Sequence, residues 1–148
     1  MKKKFKLILI LIIGYLSFLT QVLLAEDKLK IGLLVPMSGD NKKLGELIIK
    51  SVRLAINDID NDKIEILPKD TGSEPNKTLK SAKELQESGV KIIIGPIFYE
   101  NVIYLDEIND VVFLSLTNKT LNLPDNVIST GINSTSQLNA ITKFINEN

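Results

Sequence analysis

Three short stretches carry the side chains that could engage a ligand. The first is Met37-Ser38-Gly39-Asp40, where Ser38 and Gly39 form a tight turn just after the apolar run Ile31 to Val35 and Pro36. The second is Ile97-Phe98-Tyr99-Glu100, which follows Gly95-Pro96, and the third is Thr117-Asn118-Lys119. A hydroxyl, an amide and an ammonium in succession suit a carboxylate, although a polar loop of this kind is commonly only solvated. The Tyr99 ring can stack on a ligand or lie on the protein surface. Ser38 and Gly39 fit a ligand-contacting turn and also a plain strand-to-helix connection, because such turns occur in every wound α/β sheet. Gly95-Pro96 reads as a strand terminator that aims the loop after it. A fourth stretch, Asp70, Thr71 and Glu74, offers oxygen atoms, but no second oxygen-rich cluster accompanies it. A solvated loop is expected there, and no metal site.

The residue types that are missing narrow the chemistry further. The 148 residues include no histidine and no cysteine. That removes the common zinc sites, thiol nucleophiles, disulfides and the usual general base at neutral pH, so an enzyme is not expected. Gly39 to Gly45 has neither the spacing nor the Lys-Ser/Thr ending of a phosphate loop, and the dinucleotide glycine fingerprint is absent, so no cofactor is expected. Basic and acidic residues balance at 18 each, but Lys2, Lys3, Lys4 and Lys6 hold every charge before Glu26, leaving 14 basic against 18 acidic residues beyond them. A mildly acidic domain without a basic stripe argues against nucleic acid as a partner.

Those lysines open a targeting segment. Residues 1–25 have a basic start, an apolar stretch from Leu7 to Leu19 and Ala25 before the charged pair Glu26-Asp27, the plan of a secretory signal peptide cleaved after Ala25. Leu23 departs from the small-x-small rule, and Leu7 to Leu24 is long enough to span, so retention as an anchor is the alternative outcome. Without cysteine the chain is not a lipoprotein. The basic flank stays cytoplasmic by the positive-inside rule, which puts everything after Glu26 in the periplasm.

The length allows one ordinary domain, residues 26–148. Its elements must hold the three polar stretches at one end. Strands are expected at Ile31–Val35, Ile64–Leu67 (closed by Pro68), Val90–Ile94, Val111–Leu116 and Val127–Thr130. Helices are expected at about Lys43–Asp60, with Asp40 or Asn41 as cap, at Lys77–Ser88, with Asn76 or Ser73 as cap, at Asn101–Asn109, and from Ser134–Ser136 onward. The last shows Leu138, Ile141, Phe144 and Ile145 on one face. Unbroken alternation of short strands, apolar on both faces, with helices predicts an α/β doubly wound parallel sheet in the order 2-1-3-4-5. Ligands of such sheets sit at the carboxyl ends of the strands, which is where all three polar stretches fall.

The strings KIGLLVPMSGDNKKLG, LPKDTGSEPNKT and SGVKIIIGPIFYENV, in that order, resemble the N-terminal lobe of the type I periplasmic binding proteins, the leucine-binding-protein family. The resemblance runs from Leu29 to about Phe144, and IIIGPIFYENV is also similar to the penicillin-binding protein activators of the envelope. Members are typically two-lobed and longer, so the resemblance implies a truncated chain holding most of lobe one. It implies a non-enzymatic clamp that closes on a small ligand such as an amino acid, with a second lobe, as the capture component of an ABC importer serving a membrane permease. The activator-like alternative implies a peptidoglycan synthase as partner, met through protein-protein contacts. In the amino-acid binders the loop after strand three offers serine hydroxyls and amides to the ligand carboxylate, and the loop after strand four an amide and a threonine. The matching positions here are Ile97, Phe98 and Tyr99, then Thr117, Asn118 and Lys119, which join Ser38 and Gly39 as the candidate ligand-binding set. Tyr99 and Glu100 stand in place of serines, and Glu100 would repel a carboxylate unless Lys119 offsets it.

Overall fold

The computed structural model describes residues 28–147, so the leader expected over 1–25 lies outside the described residues. Five parallel strands, β1 (Leu29–Val35), β2 (Ile64–Asp70), β3 (Ile92–Ile94), β4 (Val112–Ser115) and β5 (Val127–Ser129), form one sheet. Their order is β2-β1-β3-β4-β5, the doubly wound arrangement expected, with the reversal of winding between β1 and β3. Helix α1 (Lys42–Ile59) joins β1 to β2, α2 (Pro75–Glu87) joins β2 to β3, and α3 (Ser134–Glu147) follows β5. Among the described residues no helix is long and apolar enough to cross a membrane.

Residues in register share a face, so Leu34, Ile93, Phe113 and Val127 point one way. Ala82 and Leu85 of α2 and Val102, Leu105 and Ile108 of the connection to β4 cover them, making one buried cluster. This is the α2 face. The opposite, α1 face carries Ile92, Ile94, Val112, Leu114 and Ile128 on β3 to β5. Helix α1 lies against β1 and leaves Ile92, Val112 and Ile128 exposed by 38%, 42% and 53%.

Three expected elements come out differently. The helix expected over 101–109 is a pair of 3₁₀ turns, Tyr99–Val102 and Leu105–Glu107. Val102, Leu105 and Ile108, buried at steps of three, match the three-residue turn of that helix better than the α period. Strand β2 runs through Pro68 to Asp70 instead of stopping before it. The ladder from Leu29 N–H to Lys63 O up to Thr71 N–H to Val35 O alternates in steps of two, so the ring nitrogen of Pro68 falls on the outward side, where an edge strand loses nothing. Helix α2 starts at Pro75 after Glu74, with neither Asn76 nor Ser73 as its cap residue. Asn41 is the N-cap residue of α1, as expected, but its side chain makes no capping bond and its Nδ2 donates instead to Ser73 Oγ at 3.1 Å, tying two loops together.

At the top of β4 the fully buried Ser115 hydroxyl donates to Pro96 O at 2.9 Å, pinning the loop after β3 to the loop after β4. Replacing Ser115 with alanine leaves Pro96 O with the Leu116 N–H alone, at 2.9 Å, and is expected to cost about 1 kcal/mol, read as a shift in the urea midpoint with unchanged slope.

Candidate functional site

All eight candidate residues lie in loops at the carboxyl ends of β1, β3 and β4, but five of them separate into two groups and three belong to neither. Ser38 and Gly39 belong to a cluster centred on Asp70. The Asp70 carboxylate accepts from Met37 N at 2.7 Å, Ser38 Oγ at 2.6 Å, Gly72 N at 2.8 Å and Lys77 Nζ at 2.6 Å. Lys77 also donates to Ser38 Oγ at 3.1 Å. Burial raises the Asp70 pKa, but Lys77, Ser38 and the Gly72 and Met37 amides outweigh it and hold the carboxyl well below the usual range. Asp70 is therefore neither a cation ligand nor a solvated loop residue. It is the clasp that binds the loop after β1 to the loop after β2, and the Ser38 hydroxyl is consumed in it. Gly39, at φ +73°, takes the left-handed turn that lets its backbone approach Gly72.

The second group opens into a cleft of about 620 Å³. Tyr99, Asn118 and Lys119 line it together with Asn122, Ile132 and Gln137, so the loops after β3, β4 and β5 form its walls. Tyr99 starts the first 3₁₀ turn, and Lys119 Nζ sits 3.9 Å from the centre of its ring, a cation–π pair at the mouth. Asn133 begins α3 at the far wall, its Oδ1 accepting from Ser136 N at 2.9 Å.

Ile97, Phe98 and Thr117 are not among the residues lining this cleft. Ile97 and Phe98 are half-buried. Thr117 is buried, its Oγ1 accepting from Lys119 N at 3.3 Å and its carbonyl accepting from Ser129 Oγ at 2.7 Å and Gly131 N at 3.2 Å. It shapes the Asn118-Lys119 loop from beneath. Sequence reasoning missed Asn122, Ile132 and Gln137, which come from β5's flanks and have no local signature. Among the described residues no group of three acidic side chains could hold a metal ion.

Polar loops gathered at one end of a doubly wound sheet are shared by many α/β folds, so the arrangement alone does not single out a family. The periplasmic binding protein family model matches residues 28–148, and the chain belongs to that family. Similar solved structures include full-length LpoA from Haemophilus influenzae, 27% identical, covering 72% of this chain and 20% of that one at a TM-score of 0.58. A Rhodopseudomonas palustris solute-binding protein of an ABC transporter, in complex with 3,4-dihydroxybenzoic acid, is 28% identical over 62% of this chain and 28% of its own, at a TM-score of 0.56. The leucine-binding protein LivK of Thermotoga maritima shares the fold at 20% identity and a TM-score of 0.64, covering 78% of this chain and 36% of that one. The chain thus spans about a fifth to a third of the length of these structures. No curated protein matches.

Proposed function

We propose that this lobe is a non-enzymatic regulatory module of the envelope, of the penicillin-binding-protein activator type, which meets a peptidoglycan synthase through the surface at the carboxyl ends of its strands. The observation that carries the reading is that three of the rim's candidate ligand groups are already engaged within the lobe. Ser38 is held by Asp70 and Lys77, Thr117 is buried beneath its own loop, and Lys119 lies over Tyr99. Capture of a free amino acid asks instead for hydroxyls and amides turned outward to a carboxylate. The likeness to LpoA, described as a regulator of PBP1A, supports the same direction. A place outside the inner membrane accords with the basic, apolar leader over residues 1–25 and with the family.

The cleft favours a second reading, solute capture for an ABC importer. Tyr99, Asn118 and Lys119 would supply half of the contacts there, and a second lobe the rest. The test sets the two against each other. Under the first reading the protein binds a purified peptidoglycan synthase in surface plasmon resonance, Lys119→Glu weakens that binding about tenfold, and a panel of amino acids gives no heat in calorimetry. Heat from an amino acid, with no synthase binding, replaces the first reading by the second.

A further inference from the structure

We propose that the outer side of helix α1 rests on an anionic phospholipid surface, laying the lobe on its side against a membrane. Gly45, Ile48, Val52 and Ile56 turn toward the sheet, Gly45 buried and the other three half-buried. At about 100° per residue, the opposite side of the helix carries Lys43, Leu47, Lys50 and Leu54, at steps of four and three. All four are exposed, the leucines by 56% and 57%. They point away from the sheet, so an element packed beside α1 in the same layer would leave them bare.

Lysine alternating with leucine along one outward stripe suits a helix lying in a lipid interface. The leucines enter the boundary between headgroups and acyl chains, while the lysine stems lie along it and carry their ammonium groups to phosphates. Arg53, also exposed, flanks the stripe. Among the described residues Lys43, Lys50 and Arg53 form no ion pair, whereas Lys42 is held by Glu46 at 3.6 Å. This side is therefore positive on a lobe that is acidic as a whole, and Asp58 brings a carboxylate to it in the last turn. Charge complementarity calls for an anionic surface, and the leader expected over residues 1–25 favours a membrane over a soluble acidic protein. Lys28 lines a shallow recess with Ile56, Asn57 and Asp60 at the end of α1. The apolar stretch ending at Leu24 thus joins the lobe beside this helix, and four extended residues reach at most about 14 Å. The rim lies past the other end of α1, so the inference does not depend on which partner the rim engages.

The chain has no cysteine, so one introduced thiol carries a probe to one place. The full 148-residue chain with Leu47→Cys, labelled with nitrobenzoxadiazole, is reconstituted into phosphatidylglycerol-phosphatidylcholine vesicles containing a headgroup-nitroxide lipid. Lys80→Cys, exposed on α2 across the sheet, is labelled for comparison. The dye at position 47 is expected to shift to the blue and to be quenched severalfold more than the dye at position 80. The leader is common to both variants, so it does not produce the difference. Each basic residue at an anionic leaflet is worth about fivefold in binding. Adding Lys43→Glu and Lys50→Glu is therefore expected to remove most of the excess quenching, as is raised salt. Equal quenching at the two positions overturns the proposal, and so does an excess that survives the charge reversals or persists in phosphatidylcholine alone. A blue shift at position 47 that requires a purified peptidoglycan synthase and not phosphatidylglycerol assigns this side to a protein and overturns it too.

Discussion

Alanine in place of Asp70 is expected to lower the stability of the fold by about 2–3 kcal/mol at neutral pH. The substitution removes the acceptor of four hydrogen bonds at once, leaving the Met37 and Gly72 amides without that partner and Lys77 with Ser38 Oγ in place of a carboxylate. The side chain is a quarter exposed, so water replaces part of what is lost, and the figure stays below that of a fully buried pair. The pH dependence carries a definite sign. A carboxyl whose folded pKa lies below its unfolded value of about 3.9 contributes stability that is complete above that pH and fades as pH falls through the folded value. The gap in urea midpoint between the natural chain and Asp70→Asn should therefore be widest near pH 6 and shrink steadily from about pH 4 downward. A gap that stayed constant to pH 2.5 would mean that the clasp acts through shape and not through charge.

Gly45→Ala should be at least as damaging. Gly45 is the buried residue of α1, and a Cβ there would lie 1.8 Å from the carbonyl oxygen of Pro36. The obstacle is backbone, so no change of rotamer relieves it. Helix α1 would have to lift off the end of β1, loosening Ile48, Val52 and Ile56, at a cost of about 3 kcal/mol. Gly89→Ala is the comparison: at φ +83° nothing lies within 4 Å of its Cβ position, and backbone strain alone costs about 1 kcal/mol. Thermal unfolding of the two variants, measured side by side, separates steric contact from conformational strain.

Much of the architecture was legible because it is written locally. Strand β1 is an apolar run bounded by Pro36, α1 keeps its apolar residues at steps of three and four, and their alternation with β2, α2 and β3 dictates the winding. Strand β2 runs past Pro68 because the rule against proline in a ladder holds only where the missing N–H faces a neighbour, and edge position is a property of the whole sheet that no local run of residues states. The 3₁₀ turns were visible in the three-residue spacing of Val102, Leu105 and Ile108, though the helical pattern overrode it. The site was half legible. That Tyr99 and Lys119 both follow adjacent strands could be read in advance. That the ammonium lies over the ring could not, since their approach depends on loop paths. Asp70 was singled out for its oxygens alone. Its role depends on Ser38, 32 residues earlier, and on Lys77, a turn into the next helix.

The outward nitrogen of Pro68 bears on how this molecule can polymerise. A foreign strand laid along β2 would find one rung of the ladder missing in the middle of the seven-residue edge, and at the other border β5 offers only three residues to copy. Sheet-to-sheet growth of the amyloid kind is thus discouraged at both margins.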